Sequence, residues 1–136
     1  MANQFYPKAK KRFFTGKTDM EADTIHAVLL KNTYAFNPEH EFLVDIQDHV
    51  LGSVPLQDVQ VSVLASGVCS VVAADLRFED VVAGNTVRAV VLLKSTGVAG
   101  TSPLIAYFDN AVGLPAVTTG APQVVEWSKT DKVFYW

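Results

Sequence analysis

The densest set of groups able to move a proton or ligate a metal is His40, Glu41, Asp45, Asp48 and His49 in "NPEHEFLVDIQDHV". Imidazoles among carboxylates are the ingredients of acid–base chemistry or of a divalent site. Their spacing suits neither, because histidines nine apart do not share one helix face, and no HExxH constellation occurs. Solvated charge is the better reading. His26 lies inside the apolar run "DTIHAVLL", where a lone imidazole reads as a hydrogen-bonded structural residue. The single cysteine, Cys69, has no histidine in its own segment to act as a base, so it reads as a small buried hydrophobe in a reduced compartment. Asp109 and Asn110 close "SPLIAYFDN". A catalytic aspartate there would need a second carboxylate or a histidine to orient. None is near, and Gly113 and Pro115 beyond complete the composition of a turn. Asp109 and Asn110 are therefore candidate loop contacts rather than catalysts.

"TGVAGTS" has two glycines but neither the GxGxxG nor the GxxxxGK[ST] order, and CxxC, GxSxG and EF-hand patterns are missing. No catalytic residue, metal ligand or cofactor is assigned, and a non-enzymatic protein is expected.

Charge is more informative. Residues 1–17 carry Lys8, Lys10, Lys11, Arg12 and Lys17 with no acid, a formal +5; the rest holds 6 bases against 14 acids, a formal −8, which sums to the net −3. A basic start studded with Phe5, Tyr6 and Phe13 on an acidic body reads as an arm for another surface. The competing reading is an amphipathic helix that turns Phe5, Phe13 and Phe14 toward the protein's own core. Basic residues beyond the first 17 are scattered over an acidic body, which argues against nucleic acid as the main ligand.

The elements that must position these groups follow from periodicity. Residues 5–15 suit a short helix, with Pro7 in its first turn and Gly16 as its stop. Residues 23–31 suit a strand buried on both faces. Asn37 as a cap, Pro38, and Phe42, Leu43 and Ile46 on one face predict a second helix. After Pro55 the chain is β in character. "VQVSVL" predicts a strand with one buried face, "VCSVVAADLRFEDV" one long or bent strand, and "AGNT" a turn before the buried strand "VRAVVLLK". "PLIAYF" starts at Pro103, which cannot donate within a ladder. "VVEWS" and "KVFYW" read as a final pair joined by Lys129 to Lys132, with the terminal aromatics through Trp136 closing the sheet.

The fold class is therefore mainly β: a single antiparallel β-sandwich or jelly-roll-like domain over residues 18–136, preceded by the basic aromatic arm 1–17, with one or two short helices in the N-terminal third. A chain of 136 residues has room for one core. Its 49% apolar and 18% charged residues exceed and fall short of the usual soluble balance, which suggests that partners cover some of its surface. Apolar runs stop well short of the roughly 20 residues a membrane helix needs. The basic start is followed by Phe13, Phe14 and then polar residues, so Sec-type export is not expected.

Taken together, "MANQFYPKAKKRF", "DTIHAVLL", "HEFLVDI", "GTSPLIAYFDNAVGLP" and the closing "VVEWS" and "KVFYW" resemble a group of small tailed-bacteriophage structural proteins. In that group a MAN-FYPK start, a DTI-AVL strand, a HEFL-DV segment and a TSPLIAYID…GLP stretch recur in this order. The resemblance spans nearly the whole chain and implies a virion part, most like head decoration or cement proteins. These are typically β-sandwich or jelly-roll proteins on joints between major capsid subunits. It implies binding to the major capsid protein and to sister copies, as a dimer or trimer, on the outer capsid surface after assembly in the bacterial cytoplasm. A tail or neck component, or a receptor-binding module, is the alternative. The arm residues Phe5, Tyr6, Lys8, Lys10, Lys11, Arg12 and Phe13 are the expected partner contacts.

Overall fold

A computed structural model of the chain describes residues 4–109, 111–127 and 133–135. The chain order is β1 (Gln4–Phe5), α1 (Pro7–Phe14), β2 (Ile25–Lys31), β3 (Val50–Pro55), β4 (Gln60–Val63), β5 (Cys69–Val72), β6 (Leu76–Phe78), β7 (Thr86–Lys94), β8 (Leu104–Phe108), β9 (Ala116–Val117), β10 (Gln123–Val125) and β11 (Phe134–Tyr135). The main sheet runs β1-β8-β7-β2-β3, with β9 also on β7; β11-β5-β4 and β10-β6 form two smaller sheets. Every described strand pair is antiparallel. The protein is mainly β and sandwich-like, as the strand spacing predicts.

β2, β7 and β8 are apolar at nearly every position because both faces of the main sheet are covered. Ile25, Ala27, Leu29, Val90, Leu92 and Phe108 pack toward the smaller sheets with Leu76, Phe78, Val125, Trp127 and Phe134. Val28, Leu30, Val91, Leu93 and Tyr107 face the other way, onto Tyr6, Ala9, Tyr34 and Ile46. A strand alternates its side chains between faces, so two covers require two apolar sets. Bulges between Leu30 and Lys31 and between Leu92 and Leu93 shift the register without exposing either set.

Four local expectations are corrected. The stretch 37–49 forms no α-helix, only 3-10 turns at Leu43–Asp45 and Gln47–His49. Its polar groups are taken by other partners: Asn37 accepts from the Glu39 N–H, and Asp45 from the N–H groups of Glu41 and Phe42. Leu43 donates to Ser102 and Glu41 accepts from Leu104, so a sheet edge replaces the helical ladder. "VQVSVL" becomes β4, exposed along its length because it is an edge strand of a peripheral sheet. "VCSVVAADLRFEDV" is divided into β5 and β6, which belong to different sheets, and Ala74 between them bonds to Gln57 and Trp127. β10 and β11 do not pair with each other; β10 lies on β6 and β11 on β5. The Lys129 to Lys132 link, Trp136 and Asn110 lie outside the described residues.

Candidate functional site

The first 17 residues, expected as an arm, are built into the body from residue 4 onward. β1 adds to the edge of β8, with Gln4 opposite Tyr107 and Phe5 opposite Ala106. The Tyr6 N–H then donates to Ile105. Pro7 opens α1, where its fixed φ suits a helix and its missing N–H costs nothing. Thr15 closes it by donating through Oγ1 to the Lys11 carbonyl, and Gly16 at φ 73 takes the left-handed turn that a β-carbon would strain. Lys11 and Arg12 sit in the last turn, where cations oppose the negative end of the helix dipole.

The seven predicted contact residues therefore separate into two groups. Tyr6 is fully buried, its hydroxyl 2.9 Å from that of Tyr34, which in turn lies 2.9 Å from His40 Nδ1. Phe5 stacks on Phe134 with ring centroids 4.5 Å apart and meets Phe13 edge-on at 6.1 Å. These three aromatics hold the segment down, so the amphipathic reading is met at Phe5 and Phe13 and fails at Phe14, which it also turned toward the core; Tyr6 is unavailable to a partner. Lys8, Lys10 and Lys11 are exposed and Arg12 is half-buried. Among the described residues the exposed aromatic is Phe14, 84% accessible.

Glu41 organises the basic side of α1. Its carboxylate lies 3.0 Å from Lys8 Nζ and accepts from Arg12, whose guanidinium also stands 5.4 Å from the centroid of the Phe42 ring. The bond from Arg12, and then that from Lys8, holds the Glu41 carboxyl below the usual glutamate range. Lys8, Lys11, Arg12, Thr15, Lys17 and Glu41 enclose a surface hollow of about 400 Å³. Four cations face one carboxylate there, so the hollow attracts anionic groups. A second hollow of about 340 Å³ opens on the other side of α1, mostly apolar, with Phe5, Phe13, Met20, Val61, Cys69 and Phe134 in its wall. Cys69 is thus half-buried in that wall rather than enclosed in a core.

The histidines are dispersed among separate partners. His40 bonds to Tyr34, His49 Nδ1 lies 2.9 Å from Thr33 Oγ1, and His26 Nδ1 lies 3.3 Å from Ser53 Oγ. Glu41 turns to α1 instead of to either neighbouring imidazole. Among the described residues no group of His, Cys, Asp and Glu could hold a metal ion. Asp109 is half-buried directly after β8, where the chain bends. No described helix is long and apolar enough to cross a membrane.

Sequence reasoning marked the cations of α1 but missed Glu41 as their organiser and Phe14 as the exposed aromatic. Helical phase does not signal the second: Phe13 and Phe14 stand about 100° apart, within the width of one apolar stripe, so only the packing decides which of them is left exposed. Comparisons with protein-family models, with curated proteins and with solved structures return no match.

Proposed function

We propose that this chain is a non-enzymatic structural protein of a tailed-bacteriophage virion, a head decoration or cement protein that binds joints between major capsid subunits. The observation that carries the reading is the basic face of α1, where Lys8, Lys11, Arg12 and Lys17 surround one hollow with Glu41 as the single acid. The helix is anchored by the buried Tyr6 and Ala9, so the backbone that carries Lys8, Lys11 and Arg12 is held in a fixed position. A preset backbone loses little entropy on docking against an acidic surface. Repetition of a modest contact over a symmetric shell then gives strong attachment. The sequence resemblance supports the same assignment, with the outer capsid surface as the place of action.

The alternative of a receptor-binding module calls for exposed aromatics around Asp109 or the loop 97–101. Among the described residues the exposed aromatic is Phe14 on α1, and neither Asp109 nor the loop 97–101 contains an aromatic, which favours the capsid reading. The deciding experiment counts this chain against the major capsid protein in purified heads and tails. A copy number on heads comparable with that of the capsid protein supports the decoration role. A few copies confined to tails would overturn it in favour of the tail or receptor-binding alternative.

A further inference from the structure

We propose that the chain self-associates through the apolar groove beside α1, with Phe14 of each copy seated in the groove of the other. The occupant is next to the groove along the chain: Phe14 stands between Phe13 and Gly16, both of which line the groove. Phe13 forms part of the groove wall, and Lys10 and Phe14, one helical turn apart, make the adjoining ridge of α1. Phe14 is 84% exposed, while the groove beside it holds about 340 Å³ of space. A closed apolar cavity of about 150 Å³ already admits benzene, so a phenyl ring fits with room for its neighbours.

Charge on this face is complementary to itself. Asp19 and Glu21 form an acidic rim to the groove, and among the described residues neither they nor Lys10 takes part in an ion pair. A two-fold axis through the face brings each Phe14 to the other copy's groove and each Lys10 to the other copy's Asp19 and Glu21. A single patch that carries both knob and hollow, and both signs of charge, meets the requirement of an isologous contact. A foreign partner would need only one half of that set.

The contact is made by side chains rather than by strand addition. β4 borders the groove at Val61, and the exposed Val63 and Leu64 extend the apolar surface beyond it. The Val61 N–H on this edge already donates to the Glu21 carboxylate, which blocks a partner strand at that position. This inference is independent of capsid docking, which uses the opposite, basic side of α1.

The test is sedimentation of the full chain from micromolar to millimolar concentration, with Cys69 reactivity toward a thiol reagent as a second measurement. A concentration-dependent dimer is expected, with Cys69 increasingly protected as the dimer forms. Phe14→Ala should weaken the dimer by about tenfold or more and remove the protection. Lys10→Glu and Glu21→Lys should each weaken it, and their combination should restore part of the loss. A monomer throughout, or a dimer whose constant and Cys69 protection are unchanged in Phe14→Ala, would overturn the proposal.

Discussion

Arg12 on α1 donates to the carboxylate of Glu41, 29 residues away in sequence, and Lys8 reaches the same carboxylate from one helical turn earlier. The pair ties a segment that reads as a free basic arm to the turn that precedes β3. Two of the five N-terminal cations are thereby matched by an acid of the body, and Lys10, Lys11 and Lys17 remain without an ion pair among the described residues.

Glu41→Gln should lower stability by about 1 kcal/mol, since the pair is partly exposed and screened. The folded carboxyl titrates below its ordinary value because of Arg12 and then Lys8. Its contribution is therefore complete above the ordinary glutamate range and is lost as pH falls through the depressed folded value. Thermal melts of both proteins from neutral pH into that acid range check this; curves that stay parallel throughout would show that Glu41 is not the linked group.

Tyr6→Phe should cost about 1 kcal/mol, because it removes one bond of the Tyr6–Tyr34–His40 chain and leaves the second intact. Tyr6→Ala should cost about 3–5 kcal/mol through the cavity left under α1. Denaturant unfolding measures both, and equal losses would mean that the hydroxyl, not the ring, carries the stability.

Burial, first among the causes, raises the hydroxyl pKa values of Tyr6, Tyr34 and Tyr107 above the ordinary 10.0. The folded state then keeps protons that the unfolded chain releases, so stability is complete below that value and declines as pH rises above it. Phenolate absorbance should appear together with the loss of near-ultraviolet circular dichroism. Full ionisation of all four tyrosines in a still-folded protein would contradict this.

Deleting residues 2–12 should destabilise the body, because it removes β1, most of α1 and the fully buried Tyr6. Charge reversal is the cleaner probe of docking. Lys8→Glu with Lys11→Glu should shift stability by about 1 kcal/mol or less while weakening capsid attachment, with the wild-type contact declining as salt is added. Attachment that withstands both the substitutions and salt would remove the basic face from the interface.

Phe134→Ala should cost about 3–5 kcal/mol. Phe134 stacks on Phe5 and lies 5.4 Å from Phe108, so it joins the first strand to the last across the core. A melting temperature within a degree or two of wild type would place the closing aromatic outside the core.

Periodicity made the central strands legible. Continuous apolar runs such as "HAVLLK" and "VRAVVLLK" imply cover on both faces, and the main sheet has it. Pro7, Gly16 and Pro103 punctuated the chain where the elements begin and end, because each restricts the backbone regardless of distant contacts. The stretch 37–49 was misread since its helical spacing is real, while Asn37, Asp45 and the edge at Ser102 and Leu104 take the backbone groups a helix would use. β4 was misread because alternation shows which residues share a face, not whether anything covers that face.

By itself, then, the sequence determined a mainly β chain with a short basic helix and the cations that helix presents, since local backbone preference and side-chain period act over a few residues. The burial of Tyr6, the gathering of Lys8 and Arg12 by Glu41, and the exposure of Phe14 next to a Phe13 that walls an apolar groove came only with the tertiary fold. Those outcomes depend on which surfaces meet after long-range strand pairing, and pairing energies between distant segments leave no periodic trace in either one.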